Sequence, residues 1–352
     1  MAGMYRAYIR HNNSRTLFNN NGKGIKYTMK VTRYGKLKQA LILMTVFTVL
    51  LAACAGQPQK KPETPAPQAP KQAVAGNEPD ISVFMHETGE KKTMKMEEYI
   101  AGVVAAEMKN DWPVEALAAQ AIIARTFTVE AIDTKGGVPE RGTQASTDIK
   151  EFQAYDAKAV NDNVKKAVEM TRGMVATYQG KPIKAWFHAS AGGITATAKE
   201  GLNYRDAEPP YIHSVQSPDD LAPADIKNWT ASFTKDEVLA ALKKMGVKAN
   251  DISSMEIGQK GPSGRTVSLT VNKSTPVSGP ELRMALDSTK LKSMLLDGIE
   301  VSEDNVIFTG TGYGHGVGMS QWGAHKMAKE NKKPEDIITY YFKGITVEKR
   351  WQ

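Results

Sequence analysis

The chain of 352 residues is predicted to fold as α+β, a single mixed globular domain with core helices and antiparallel strands. Three observations predict this class. Ile81-Ser82-Val83-Phe84 and Lys92-Thr93-Met94-Lys95-Met96 alternate in polarity around the turn Glu87-Thr88-Gly89-Glu90, a hairpin pattern. Residues Val114 to Val129 are apolar almost all round, which marks a core helix. The remaining strand and helix signals are mixed, with no internal repeat and no regular β-α-β alternation, which disfavours a parallel-sheet architecture.

The hairpin leads into a helix over about 96–108. Its apolar positions Ile100, Val103 and Val104 follow i, i+3, i+4 spacing, and the next position of that series is Glu107. A carboxyl group therefore falls on the face that should be buried. Desolvation raises a carboxyl pKa, which a general acid working near neutral pH requires; the alternative is a helix-end Glu that is exposed or ion-paired. Trp112-Pro113 closes the connection, and Pro113 suits the first turn of the next helix. Between Glu115 and Glu130 the only charge is Arg125. It needs a partner, because an unpaired buried charge is very costly. A structural salt bridge is one reading of Arg125 and ligand contact the other; Gln120 lies on the same helix. Direct pairing of Arg125 with Glu107 would lower the carboxyl pKa and weaken an acid role.

Residues 133–150 read as a polar loop with Gly136-Gly137, and Phe152-Gln153-Ala154-Tyr155 as a short semi-apolar stretch. Asn161 to Thr171 is an amphipathic helix closed by Arg172-Gly173. Met174 to Tyr178 and Pro182 to Phe187 read as a strand pair about Gly180. The second strand runs into His188-Ala189-Ser190-Ala191-Gly192-Gly193, a polar strand end where a binding loop would sit. His188 is read either as a ligand contact or as a core histidine. Between 200 and 305 the signals are sparser: a loop from Tyr204 to Asp220, a helix over Lys235 to Lys244, a strand over Thr266 to Asn272, and a helix entered at Gly279-Pro280. Val306-Ile307-Phe308 is a strand, and Pro334 to Phe342 the last helix.

Glycine takes every second position from Gly310 to Gly318. In regular structure it costs roughly 0.5–1 kcal/mol against alanine, but it accepts φ > 0. The stretch is expected to be a tight loop with its backbone close to something. It encloses Tyr313 and His315 and leads to Ser320, Gln321 and Trp322, with Ser320 fitting the N-cap of a helix over Gly323 to Lys329. A Gly-rich hairpin that only turns the chain is the alternative. No Gly-Lys-Ser/Thr follows, so this is not a phosphate loop.

Composition is ordinary for a globular protein, 41% hydrophobic and 24% charged. The formal charge of +8 is concentrated at the front: nine of the 46 basic residues and no acid lie in residues 1–53, leaving 37 basic against 38 acidic residues. A nucleic-acid-binding surface is therefore not implied. Met29 to Lys38 is basic, and Ala40 to Ala53 is uncharged, mostly apolar and shorter than the ~20 residues that span a bilayer. Together they read as a secretory signal over residues 29–53. The expected start is Met29, with residues 1–28 a misassigned extension. Leu51-Ala52-Ala53-Cys54 is similar to a bacterial lipobox, which implies lipid attachment to Cys54; an ordinary signal peptide or an uncleaved anchor is the alternative. Cys54 is the only cysteine, so none remains for disulfides, thiol catalysis or a Cys-based zinc site. Residues 54–80, rich in Pro, Gln, Ala and Lys, read as a disordered spacer, and 81–352 as the folded domain.

Four blocks resemble stage II sporulation protein D and the related amidase-enhancer family. They are Tyr99-Ile100-Ala101-Gly102-Val103-Val104-Ala105-Ala106-Glu107-Met108, Glu115 to Thr126, Phe187 to Gly193, and Gly312-Tyr313-Gly314-His315-Gly316-Val317-Gly318-Met319-Ser320-Gln321-Trp322-Gly323-Ala324. Their order and spacing cover residues 81–347. The resemblance implies a lytic transglycosylase acting on peptidoglycan glycan strands that an amidase has stripped of stem peptides, with Glu107 matching the family's catalytic glutamate. Protonated Glu107 would donate to the glycosidic oxygen between N-acetylmuramic acid and N-acetylglucosamine. As carboxylate it would then take the C6 hydroxyl proton while the 1,6-anhydro ring closes. One carboxyl group serves both steps, whereas glycoside hydrolases use a pair ~5–9.5 Å apart; Asp148 and Asp156 are the partners to consider if hydrolysis is the outcome. Gln120, Arg125, Tyr155, His188, Ser190, Tyr313, His315, Ser320 and Gln321 are the candidates for gripping sugar hydroxyl and acetamido groups.

Some members of the family carry zinc through His and Cys. With no Cys beyond Cys54, and only His188 and His315 as a pair from unrelated positions, no required metal and no cofactor is expected. The family's sporulation protein uses a transmembrane anchor; a lipid on Cys54 is expected here, holding the enzyme at the outer face of the cytoplasmic membrane, facing the cell wall. The expected partners are glycan strands, an amidase and a membrane scaffold of the same machinery, in wall remodelling during sporulation and engulfment. The competing reading is a non-catalytic wall-binding enhancer of an N-acetylmuramoyl-L-alanine amidase. A zinc peptidase would need a His-Glu-x-x-His or comparable motif, which does not occur.

Overall fold

The computed structural model describes residues 76–352 and, apart from them, a short antiparallel pair, β1 (Thr16–Phe18) with β2 (Gly24–Lys26). The signal at 29–53, Cys54 and residues 55–75 of the linker lie outside the described residues. The chain is already paired before the expected boundary at Ile81: Gly76 bridges to Trp351, and the Glu78 carboxylate accepts the Glu97 N–H at 2.9 Å.

Residues 76–352 have the α+β composition expected. β3 (Asp80–Phe84) runs antiparallel to β4 (Lys91–Lys95) and leads through it into α1 (Met96–Glu107) and α2 (Val114–Lys135). β5 (Ala145–Ser146) returns to pair in parallel with β3. Five alanines of α2, at 116, 118, 119, 121 and 124, have no exposed surface. Their small side chains let α1, α3 (Asp162–Met170) and β6 (Met174–Tyr178) pack close around α2. The helix continues past the expected end at Val129 and stops at Gly136, whose φ of 74° and N–H bonds to the Ala131 and Ile132 carbonyls make a left-handed cap.

The strand expected over 182–187 is split. β7 (Lys181–Pro182) pairs with β6, and β8 (Phe187–His188) leaves to pair in parallel with a distant segment, Met319–Ser320. After α4 (Ala198–Leu202) and α5 (Ala224–Lys227) the chain enters a second hydrophobic core. Two antiparallel sheets enclose that core. One is β9 (Trp229–Thr234), β14 (Asn305–Gly310) and β13 (Leu296–Val301), with β14 central. The other is β10 (Met255–Ile257), β11 (Ser268–Val271) and β12 (Thr275–Ser278). Helices α6 (Lys235–Lys244) and α7 (Gly279–Ala285) belong to the same core, which holds Phe233, Leu242, Leu269 and Phe308. β15 (Met319–Ser320), α8 (Gln321–Lys329), α9 (Pro334–Tyr341) and β16 (Thr346–Lys349) then rejoin the first core. The second core is thus an insertion between two parts of the first. No helix among the described residues is long and apolar enough to cross a membrane.

Arg125 has no exposed surface. Its Nε donates to Glu97 Oε1 at 3.1 Å, its Nη2 to Glu97 Oε2, and its Nη1 to the Met174 carbonyl at 3.0 Å. Glu97 Oε1 also accepts the Gly173 N–H at 3.0 Å and the Trp351 indole N–H at 2.8 Å. The structural reading of Arg125 is the one realised, and the residue lies in the core rather than at a sugar-facing surface. Its partner, Glu97, carries no periodic signal that would single it out in the sequence.

The alternating glycines make the tight loop expected. Gly312, Gly314, Gly316 and Gly318 have φ of 81°, 108°, 83° and 74°. What their backbone is close to is the protein itself. A Cβ at Gly314 would stand 2.7 Å from His188 Cβ, one at Gly316 would enter the Arg265 guanidinium, and one at Gly318 would strike the Trp186 carbonyl. Buried Arg265 in turn donates to the Ile194 and Ala191 carbonyls at 2.8 and 2.7 Å, so the loop seals against residues 186–194.

Two outcomes are expected in urea unfolding. Arg125→Met should cost about 3–5 kcal/mol, the range for breaking a buried pair by removing one partner. Gly318→Ala should cost more than the roughly 1–2 kcal/mol of a left-handed non-glycine residue, because the added Cβ also meets backbone. Wild-type midpoints for either variant would contradict this account of the fold.

Candidate active site

Glu107 is the last residue of α1 and is half-buried. One of its oxygens accepts the Ala154 N–H at 3.1 Å. The Gln321 amide, in the first residue of α8, faces the carboxyl group, and its buried nitrogen closes no hydrogen bond. Burial pushes the Glu107 pKa up, and the Ala154 and Gln321 contacts oppose this only in part. The partial negative charge at the C-terminal end of α1 acts in the same direction as burial. The carboxyl group therefore holds its proton above the ordinary carboxylate range. Arg125, committed to Glu97, does not offset this.

Among the described residues no second carboxylate engages Glu107. Asp148 lies 3.2 Å from His86 Nδ1 and accepts the Lys150 N–H. Asp156 caps the short turn that follows, accepting the N–H groups of Lys158 and Ala159. The 152–156 segment that supplies Ala154 is itself pinned on both sides. Gln153 Nε2 donates to the Thr128 hydroxyl on α2 at 3.1 Å. Tyr155 stacks on Tyr99 of α1, with ring centroids 5.7 Å apart, and lies over Gly102, where any Cβ would enter its ring. Gln120 is wholly buried, and neither atom of its amide has a hydrogen-bond partner.

The other candidates gather in a second cluster, and most of their polar atoms are used on the protein. Asp219 is buried; its Oδ2 accepts from the Ser190 hydroxyl at 3.0 Å, and its Oδ1 from the Ser320 and Ser217 hydroxyls, each at 2.8 Å. Ser217 also bonds Tyr341 at 2.8 Å. Ser320 caps α8 through the Gly323 N–H, as the sequence suggests. The Tyr313 backbone exchanges both of its hydrogen bonds with Ser190. The rings of His188 and His315 lie 5.7 Å apart. His188 Nδ1 bonds the Val317 carbonyl, and His315 Nδ1 accepts the Val317 N–H at 3.0 Å. Burial, with Arg265 nearby, pushes the His188 pKa down to about 3, and burial, His188 and two arginines hold His315 well below its ordinary value. Both imidazoles are neutral in a positively charged neighbourhood. Among the described residues no three His, Cys, Asp or Glu side chains come together as a metal site would need.

Sequence reasoning missed the aromatic wall beside Glu107. Trp112 meets Trp322 edge-on at 4.6 Å and stacks on His325 at 4.2 Å. With Asp111, Asn163 and Lys329 they line a groove of about 570 Å³. Trp112 and Trp322 directly follow the Glu107 and Gln321 segments, which was the available signal. Asp219 offered none, since its three serine partners lie on separate segments.

The family model described as Stage II sporulation protein matches residues 85–178, and one for a domain of unknown function matches 213–318, most of the inserted core. An uncharacterized protein of Brachyspira hyodysenteriae is 33% identical over 72% of this chain and 67% of its own length. Stage II sporulation protein D of Bacillus subtilis is 33% identical over 76% of this chain and 79% of its own. The Amidase enhancer of Bacillus subtilis is 29% identical over 70% of this chain and 40% of its own. With an isolated acid on a core helix and relatives of this identity along most of the chain, the protein belongs to the stage II sporulation protein D family.

Proposed function

We propose that the protein is a peptidoglycan lytic transglycosylase that cuts stripped glycan strands between N-acetylmuramic acid and N-acetylglucosamine, leaving a 1,6-anhydro end, in wall remodelling during sporulation. The observation that carries this reading is the solitary Glu107: a half-buried carboxyl group with a raised pKa, an N–H donor on one oxygen and, among the described residues, no carboxylate partner. A hydrolase of ordinary type needs a second carboxylate to activate water or to attack. A reaction that closes an anhydro ring needs one group that first gives and then takes a proton. The raised pKa supplies the proton, and the Ala154 N–H and the Gln321 amide stand ready to stabilise the carboxylate that remains. In the same reading the chain is exported, held by lipid at Cys54 to the outer face of the cytoplasmic membrane, and works beside an amidase.

A second reading, stimulation of an amidase without cleavage, is favoured by the name of one relative, Amidase enhancer. Product analysis of amidase-treated glycan strands separates the two. Anhydro-muramyl ends from the wild-type chain, with a loss of about 10²- to 10⁴-fold in Glu107→Gln, are the expected result. Reducing ends would point to hydrolysis, and strand binding without cleavage to the enhancer.

The pH dependence follows from the sign of the shift. The reaction needs Glu107 protonated, so kcat/KM should fall with rising pH as a single proton is lost, with a midpoint above the ordinary carboxyl value of 4.5. Stability moves the same way. Between the unfolded and folded pKa values the folded state holds the extra proton, so stability falls as pH rises through that window. Glu107→Gln should therefore melt higher than wild type above the window, and the two should converge below it.

A further inference from the structure

We propose that the groove beside Glu107 seats the muramyl ring and that Lys109 and Lys329 read the free carboxylate of its lactyl group. The inference deepens the glycan reading above and rests on it. Both walls of the groove run on in sequence from the acid's surroundings: Asp111 to Val114 follow the end of α1, and Trp322 follows the Gln321 that faces Glu107.

Three properties of the lining fit a sugar with an acidic substituent. Trp112, Trp322 and His325 brace one another as a rigid wall against which the apolar face of a pyranose can pack. Asp111 and Asn163 supply polar atoms for hydroxyl and acetamido groups. His325 is held neutral by burial and by the nearby lysines, so it adds no charge of its own. The cations at this wall are Lys329, in the lining, and Lys109, whose ammonium stands 5.3 Å from the Trp322 ring centroid. Lys326, on the same helix as Lys329, is tied to Glu330 at 3.0 Å and to Asp220 at 3.8 Å. Among the described residues Lys109 and Lys329 make no such pair, and Asp111 is the one acid in the lining. An anion carried on a ring against this wall meets two ammonium groups that, among the described residues, no carboxylate holds.

The chemistry turns this into a selection rule. On a strand that still bears its stem peptide, the lactyl carboxyl group is locked in an amide and carries no charge. Once an amidase has removed the peptide, the group is a carboxylate. Two lysines at that point would favour the stripped strand over the substituted one without reading any other feature of the wall.

The test is equilibrium binding to the full chain carrying Glu107→Gln, so that nothing is cut. Three probes are used: stripped glycan strands, the same strands with their lactyl carboxylates converted to methylamides, and chitin oligosaccharides of equal length, which lack the lactyl group. The parent should prefer the free acid over the methylamide by about tenfold or more, the equivalent of about 1.4 kcal/mol. Lys109→Met with Lys329→Met should reduce that preference to about twofold or less, while affinity for chitin oligosaccharides stays unchanged. No preference in the parent, or the same preference in the double variant, overturns the proposal. A cleavage assay of the wild-type chain on the first two probes keeps the two readings apart. Lysine-dependent preference without cleavage leaves the subsite standing and removes the transglycosylase. Equal binding of both probes, with cleavage of both, does the reverse.

Discussion

The buried pair of Glu97 and Arg125 is the constraint on which the rest of this structure depends. Taking two charges out of water costs several kcal/mol per ion, and their attraction offsets this only when the remaining hydrogen-bonding capacity is filled. Here it is filled by four hydrogen bonds from three partners. The carboxylate at the start of α1 receives the guanidinium of α2, the N–H of Gly173 at the entrance to β6 and the indole of Trp351. One side chain thus fixes the approach of two helices, a sheet and the far end of the ordered chain. It also fixes the direction of α1, whose other end carries Glu107. Two glutamates on one helix therefore live under opposite conditions. Glu97 takes up Arg125, the one charge between Glu115 and Glu130 of α2, and for that reason the guanidinium is not available to draw the proton from Glu107.

A second polar knot is Asp219 with the hydroxyls of Ser190, Ser217 and Ser320. It joins the strand end at 187–193, the loop at 217–219 and the start of α8. Since Gln321 and Trp322 follow Ser320, the knot sets where the amide and the aromatic wall stand relative to the acid. The glycine-rich loop is the covering of this joint. Its left-handed residues let the backbone lie flat against residues 186–192, and the side chains between the glycines are largely spent on that seal.

Glu107 and the core helix were legible in the sequence because both are local statements: a carboxylate on an apolar stripe, and a long run with one charge. The loop at 310–318 was legible as a loop for the same reason, since alternating glycine has few other uses. What the loop touches was not legible. Polar residues crowded among glycines look like ligand contacts, yet His315 bonds the Val317 N–H within its own loop, and Ser320 bonds Asp219, an unremarked residue more than a hundred positions away. Arg125 shows the limit most plainly: its need for a partner could be read, but the partner, Glu97, looked like any first-turn acid. The inserted core was read least well because β9 to β13 are three to six residues long, and β9 alternates cleanly only once Trp229, Ala231 and Phe233 are known to face inward.

The insertion of one core within another also imposes an order in time. A ribosome delivers Glu97 and Glu107 early, then the whole of the inserted core, and only afterwards Gln321 and Trp351. Until those last segments arrive, α1 has neither the indole that completes its anchor nor the amide that faces its acid. A chain cut short after the inserted core would thus emerge with Glu107 in place but with the anchor of its helix incomplete and the amide that faces it missing.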